Sequence, residues 1–348
     1  MQTASVRHLP QLDGLRALAI LMVFVHHAFA VPLLWSGVDL FFIISGYLIT
    51  GILLRDSERL SFRTMIGRFY LRRAERILPA YILFLLLAYP LVKSDWTHLW
   101  GYYVAFLQNV PYAFHLVSFG PLVPLWSLAV EQHFYLVWPL LVYFLSRKWL
   151  APCMIALLLG TPVLRAVCTP LFSYPEPIYV LTPFRLDAMA AGALAALCLP
   201  HCRPLQTIRW AQLIMVLAAI TYVLLGSHLW FRRGANTPIF NGLAYSLNIL
   251  VLGGLFVWAT LSSETLLARV LSHPLLRGLG RISYMFYLLH LGVLMQIPPY
   301  VGRYTSAAVA FLITTALATV SWFAVERPIL SLSASHRRPA AGTHVSSA

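Results

Sequence analysis

Arg16 and His27 lie eleven residues apart in an apolar run near the start of the chain. If that run is helical, eleven residues make about three turns, so the two side chains share a face with the imidazole roughly 16 Å beyond the guanidinium. A neutral imidazole is the side chain best matched to taking the proton from an alcohol as it attacks a thioester. The plainer reading is a packing histidine bonded to a neighbouring carbonyl. That reading applies more strongly to His26, which the helical period turns to another face.

Further polar groups recur at similar depth in other apolar runs: Asp39 at the opening of the second, Ser127 and Glu131 one turn apart in the fourth, Arg185 and Asp187 in the sixth, and His290 midway along the ninth. Ionisable groups inside a span are costly and usually face an interior site, so their convergence suggests a polar reaction chamber in the outer half. The alternative is a scaffold of internal ion pairs, for example Arg185 with Glu131 or Asp187. At the inner mouth of the third run stand Arg68, Arg72, Arg73 and Arg76, with Arg72 and Arg76 on one face. Such forked donors suit the phosphates of a nucleotide-like donor, although topology alone also places arginines there. There is no Gly-rich phosphate loop, Walker motif or zinc signature, so no metal is called for. The four cysteines, Cys153, Cys168, Cys198 and Cys202, read as structural or incidental.

The elements that must position these groups are membrane helices. Of 348 residues, 60% are hydrophobic and only 10% charged, with a mean hydropathy of +0.77, more apolar surface than a water-soluble domain can bury. With about twenty residues per crossing, spans fall at roughly 12–31, 37–54, 76–93, 123–145, 149–169, 178–199, 210–227, 241–262, 282–300 and 305–325. The expected fold is therefore an all-α polytopic bundle of about ten transmembrane helices. A cytoplasmic N-terminus puts most Lys and Arg on one side: Arg55, Arg59, Arg63, Arg68, Arg72, Arg73 and Arg76 after span two, then Arg147 and Lys148, Arg203 and Arg209, Arg269, Arg277 and Arg281, and Arg327, Arg337 and Arg338. The opposite connections carry little beyond Lys93, Arg232, Arg233 and Arg303, so both termini are expected inside. The net charge of +14 is thus largely topogenic, and no basic soluble domain exists for nucleic acid to contact. Ala28-Phe29-Ala30 resembles a signal-peptidase site, but Asp13, Arg16, His26 and His27 make the preceding run a poor signal core. Residues 1–330 are expected to form one transmembrane domain and 331–348 a small, polar, disordered cytoplasmic tail.

Taken together, these blocks resemble the membrane acyltransferase-3 family. The match includes Leu12-Asp-Gly-Leu-Arg-Ala-Leu-Ala-Ile through His27, Gly37-Val-Asp-Leu-Phe-Phe-Ile-Ile-Ser-Gly-Tyr-Leu-Ile and Arg68-Phe-Tyr-Leu-Arg-Arg-Ala-Glu-Arg-Ile-Leu-Pro79. It continues through Leu125-Trp-Ser-Leu-Ala-Val-Glu-Gln-His-Phe-Tyr, Phe184-Arg-Leu-Asp, Gly280-Arg-Ile-Ser-Tyr-Met-Phe-Tyr-Leu-Leu-His290 and Val325-Glu-Arg-Pro328. Any one block is weak; the ordered set is specific. The resemblance implies transfer of an acetyl or other short acyl group from acetyl-CoA, or another acyl-CoA, to a hydroxyl of a glycan, lipid-linked sugar or glycoside at the cell inner membrane. It implies His27 as the catalytic histidine, Arg72, Arg73 and Arg76 as the acyl-CoA-handling block, and Glu131 as the acidic residue of the fourth span. His27, oriented by Glu131 or Asp39, would deprotonate the acceptor while Arg16 or Arg185 positions or stabilises charge; a transient acyl-His27 is the competing version. Members often carry an extra C-terminal domain, and with the sequence ending soon after Pro328, acceptor choice is expected to reside in spans and short loops. The rival class is a transporter or flippase, whose buried charges bind and gate without making a covalent bond.

Overall fold

The computed structural model describes residues 9–117, 120–298 and 302–336. Helices run α1 Pro10–Phe29, α2 Gly37–Ser57, α3 Phe62–Ala88, α4 Lys93–Val104, α5 Asn109–Ala113, α6 Leu125–Phe144, α7 Arg147–Cys168, α8 Glu176–Val180, α9 Leu186–Cys198, α10 Pro204–Gly226, α11 Pro238–Leu261, α12 Leu266–Leu271, α13 Pro274–Gln296, α14 Arg303–Ser321 and α15 Arg327–His336. No strand occurs among the described residues. Eight helices, α1, α2, α3, α7, α10, α11, α13 and α14, are long and apolar enough to cross a membrane by length and composition. The fourth expected span is α6, whose mean hydropathy is lowered by Glu131-Gln132-His133. The protein is an all-helical polytopic membrane protein.

The expected sixth span, 178–199, is not one helix. Pro175, Pro177 and Pro183 withhold backbone donors, Leu181 is extended at ψ 137°, and the chain folds as α8, a short 3-10 turn, then α9. In a membrane interior the freed carbonyls need partners. Asn109 donates to the Val180 carbonyl at 3.2 Å and Arg165 to the Phe184 carbonyl at 2.8 Å. The third span also differs: α3 begins at Phe62, so the arginine block lies on the same 27-residue helix as its apolar part. At the other end, helix continues to His336, because Ile329, Leu330 and Leu332 prolong the apolar pattern through the segment expected to begin the tail. The rest of that tail, 337–348, lies outside the described residues.

The helices form two shells. In α1, α2, α11 and α13, half or more of the apolar stretch is buried, whereas α10 is almost wholly on the outside, presenting Leu213, Leu217, Ile220 and Leu224 outward as a lipid-facing surface. Without a hydrophobic drive between helices in lipid, close packing of small residues decides which helices touch. A Cβ on Gly46 of α2 would lie 2.1 Å from the Met189 carbonyl oxygen, and one on Gly192 of α9 would lie 1.9 Å from that of Ile43. The two glycines therefore set the α2–α9 crossing. Gly280 lets α13 approach the Asp13 carbonyl of α1 in the same way. Phe24, Phe286 and Phe311 then seal α1, α13 and α14 in edge-on and tilted contacts.

Candidate active site

His27 sits in the last turn of α1, which packs along α13 and brings His290 beside it. The His27 Nδ1 lies 2.9 Å from the Val23 carbonyl oxygen and 3.3 Å from His290 Nε2, and the rings meet edge-on with centroids 5.0 Å apart. The His290 Nδ1 is 2.6 Å from the Tyr287 carbonyl oxygen. A carbonyl can only accept, so each neutral ring carries its proton on Nδ1. His290 Nε2 is then an acceptor for His27 N–H, and Nε2 is the basic nitrogen of His27. The imidazole of His27 borders an outer chamber of about 220 Å³ walled by His26, Trp35, Tyr112, Trp126, Tyr179 and Tyr287. His26 thus lines this chamber too, with its Nδ1 donating to the Val31 carbonyl at 2.9 Å.

A second, inner chamber of about 110 Å³ is bordered by Arg16, Arg73, Arg76, Glu131, Ser45, Tyr135 and Tyr284. The three guanidinium groups come from α1 and α3. Glu131 stands among them but is held by α2 and its own helix: its Oε1 accepts from Ser45 Oγ at 2.5 Å and from the Tyr135 hydroxyl. Arg72 turns away to pair with Asp56 at 2.5 Å, and Arg68 is exposed; neither lines the chamber. Val38 and Tyr287 border both chambers and form their common wall. Across it, the hydroxyls of Ser127 and Tyr287 are 2.7 Å apart, and Tyr287 reaches the Pro124 carbonyl at 3.0 Å. The single polar chamber read from the sequence is therefore two, with Arg16 on one and His27 on the other.

Asp39, Arg185 and Asp187 line neither chamber. Asp39 pairs with Arg185 at 2.5 Å and Asp187 with Arg165 at 2.7 Å, all essentially without solvent contact. The Arg185 guanidinium lies 4.9–6.0 Å from the ring centres of Trp35, Phe42, Trp126, Tyr179 and Tyr245. Three of those rings are walls of the outer chamber, so this pair stiffens the wall from behind. Arg165 adds donations to the Asn241 carbonyl at 2.7 Å and Ser246 Oγ at 3.3 Å, tying α7 to α11.

Sequence reasoning missed Ser45, Tyr135, Arg165 and Tyr287. Tyr135 is four residues after Glu131 and Tyr287 three before His290, spacings that put each on its neighbour's face. An arginine inside the fifth span, Arg165 of α7, was itself a signal of an internal partner. Ser45 carried none, since one hydroxyl in an apolar run is unremarkable.

A family model described as an acyltransferase domain matches residues 9–327. Among curated relatives, the chain is 30% identical over 369 residues to a Bacillus subtilis protein provisionally named peptidoglycan O-acetyltransferase YrhL, covering 94% of this chain and 56% of that one. It is 28% identical to peptidoglycan O-acetyltransferase OatA of Listeria monocytogenes, covering 85% and 51%. It is also 28% identical to a provisionally named O-acetyltransferase of Staphylococcus aureus strain COL, covering 85% and 52%. The chain spans about half the length of the curated relatives it matches. No solved structure matches it. On the family match across nearly its whole length, the chain belongs to the acyltransferase-3 family of membrane acyltransferases.

Proposed function

We propose that this acyltransferase carries an acetyl or other short acyl group from cytoplasmic acyl-CoA to a hydroxyl of a carbohydrate-type acceptor at the cell inner membrane. The observation that carries the reading is the pair of chambers meeting at Tyr287, one bordered by three guanidinium groups and the other by His27 with Nε2 as its basic nitrogen. The basic chamber suits the anionic part of the donor, and its side of the bundle is cytoplasmic by the excess of Lys and Arg in those connections. The outer chamber, walled by aromatic rings and carrying the imidazole, suits a neutral ring bearing a hydroxyl. The thioester arm reaches His27 once the Tyr287 side chain swings from Pro124.

His27 Nε2 takes the acceptor proton as the hydroxyl oxygen attacks the thioester carbonyl carbon. The C–S bond then breaks, the departing thiolate recovers that proton from His27, and ester plus free thiol result. Arg16 and Arg73 hold the donor; Glu131, fixed by Ser45 and Tyr135, offsets the mutual repulsion of the guanidinium groups; Asp39, Arg185 and Asp187 shape the acceptor wall.

Membranes containing the protein, given acetyl-CoA and host surface-glycan extract, should release free thiol and add acetyl mass to the glycan. His27→Ala should lower transfer by at least about hundredfold at unchanged protein level. Transfer within a few-fold of wild type removes His27 from this role.

A further inference from the structure

Resting on that reading, we infer that His290 is a positioning residue: a neutral imidazole that accepts the Nδ1–H of His27 and thereby holds the catalytic ring in its productive tautomer and orientation. Carboxylates usually serve this purpose, yet the candidate carboxylates are committed elsewhere, Glu131 to Ser45 and Tyr135 and Asp39 to Arg185. His290 is wholly buried, where an ionised group without a charged partner is costly and a neutral acceptor is not.

The hydrogen bonds permit one arrangement of the neutral pair. Its own Nδ1–H donates to the Tyr287 carbonyl at 2.6 Å, so His290 Nε2 carries a lone pair, and that lone pair faces His27 Nδ1 at 3.3 Å. With the opposite tautomer of His27, its Nδ1 lone pair would confront both the Val23 carbonyl oxygen and the His290 lone pair, two repulsions in place of two attractions. When His27 Nε2 takes the acceptor proton, the positive charge is shared along the Nδ1–H···Nε2 bond until the proton passes to the thiolate. No atom of His290 enters the product. The contact also joins the chemistry to the wall between the chambers, because the carbonyl that orients His290 belongs to Tyr287, whose hydroxyl closes that wall.

Two measurements test this on the full chain in detergent. Nitrogen-15 spectra of histidine-labelled wild-type protein, assigned by loss of signals in His27→Gln and His290→Gln, should find both rings as Nδ1–H tautomers. A proton on Nε2 of His290 overturns the proposal whatever the enzyme's activity. In acetyl-CoA turnover with host surface-glycan extract, His290→Leu should lower kcat about ten- to hundredfold, the worth of a hydrogen bond to a charged group, with KM for acetyl-CoA within twofold. His290→Gln, which restores a side-chain acceptor, should recover most of it. Equal losses in the two variants, or a raised KM with kcat unchanged, refute the positioning role. If the Leu variant does not fold, a folded Gln variant as inactive as His27→Ala refutes it too. Absence of any thioester turnover in wild type would sink the functional reading while leaving the tautomer result to stand by itself.

Discussion

Asp39→Asn should destabilise the protein strongly, and the size of the effect follows from what surrounds Arg185. The guanidinium is 1% exposed, among the described residues its ion-pair partner is Asp39 at 2.5 Å, and its Nε and Nη1 have no hydrogen-bond acceptor and face aromatic rings. With charge centres about 4 Å apart and an effective dielectric constant near 20, the lost attraction is about 4 kcal/mol. Stranding one member of a buried pair costs roughly 3–5 kcal/mol by direct measurement in other proteins, so the two routes agree. At about 2 °C per kcal/mol, the low end for long chains, the unfolding midpoint should fall by roughly 6–10 °C. The assay is thermal unfolding of the purified chain in detergent by tryptophan fluorescence, at one scan rate because such unfolding is usually irreversible. Removing both charges, as Asp39→Leu with Arg185→Met, should restore most of the midpoint, since a well-packed apolar pair replaces an ion pair at little cost. A midpoint unmoved by Asp39→Asn, or a double variant below the worse single one, would refute the scaffold reasoning. The double variant should also keep measurable transfer; complete loss in a stable double variant would return Asp39 to the chemistry.

Other outcomes follow from the same geometry. Arg73→Leu should raise KM for acetyl-CoA about tenfold or more, while Arg72→Leu, off the chamber and paired with Asp56, should leave KM near wild type in the thiol-release assay. Tyr287→Phe removes the bond to the Pro124 carbonyl and the Ser127 hydroxyl; water then reaches the donor, and acceptor-free thioester hydrolysis should rise several-fold. Gly192→Ala forces a methyl to 1.9 Å from the Ile43 carbonyl oxygen and should cost about 1–3 kcal/mol, read as a lower unfolding midpoint. Gly253→Ala, which meets nothing within 4 Å, should leave the midpoint equal or slightly raised.

Hydropathy and charge asymmetry made the membrane bundle legible because a span must be apolar over a fixed length whatever its neighbours are. The helical period likewise put Arg16 and His27 on one face of α1, and the structure gives each a chamber on that helix. The period gives a face but not the helix it meets, and here that choice rests on glycine contacts such as Gly46 with Met189, Gly192 with Ile43 and Gly280 with Asp13. So His290, 263 residues from His27 in sequence, became its partner, whereas the carboxylates expected to orient the ring went to other donors. Local sequence set where charges could enter the bundle; tertiary packing decided which of them neutralise one another and which are left facing a cavity. The reason is physical: a buried charge is tolerable only beside its partner, and that partner is supplied by whichever helix the small residues allow to come close.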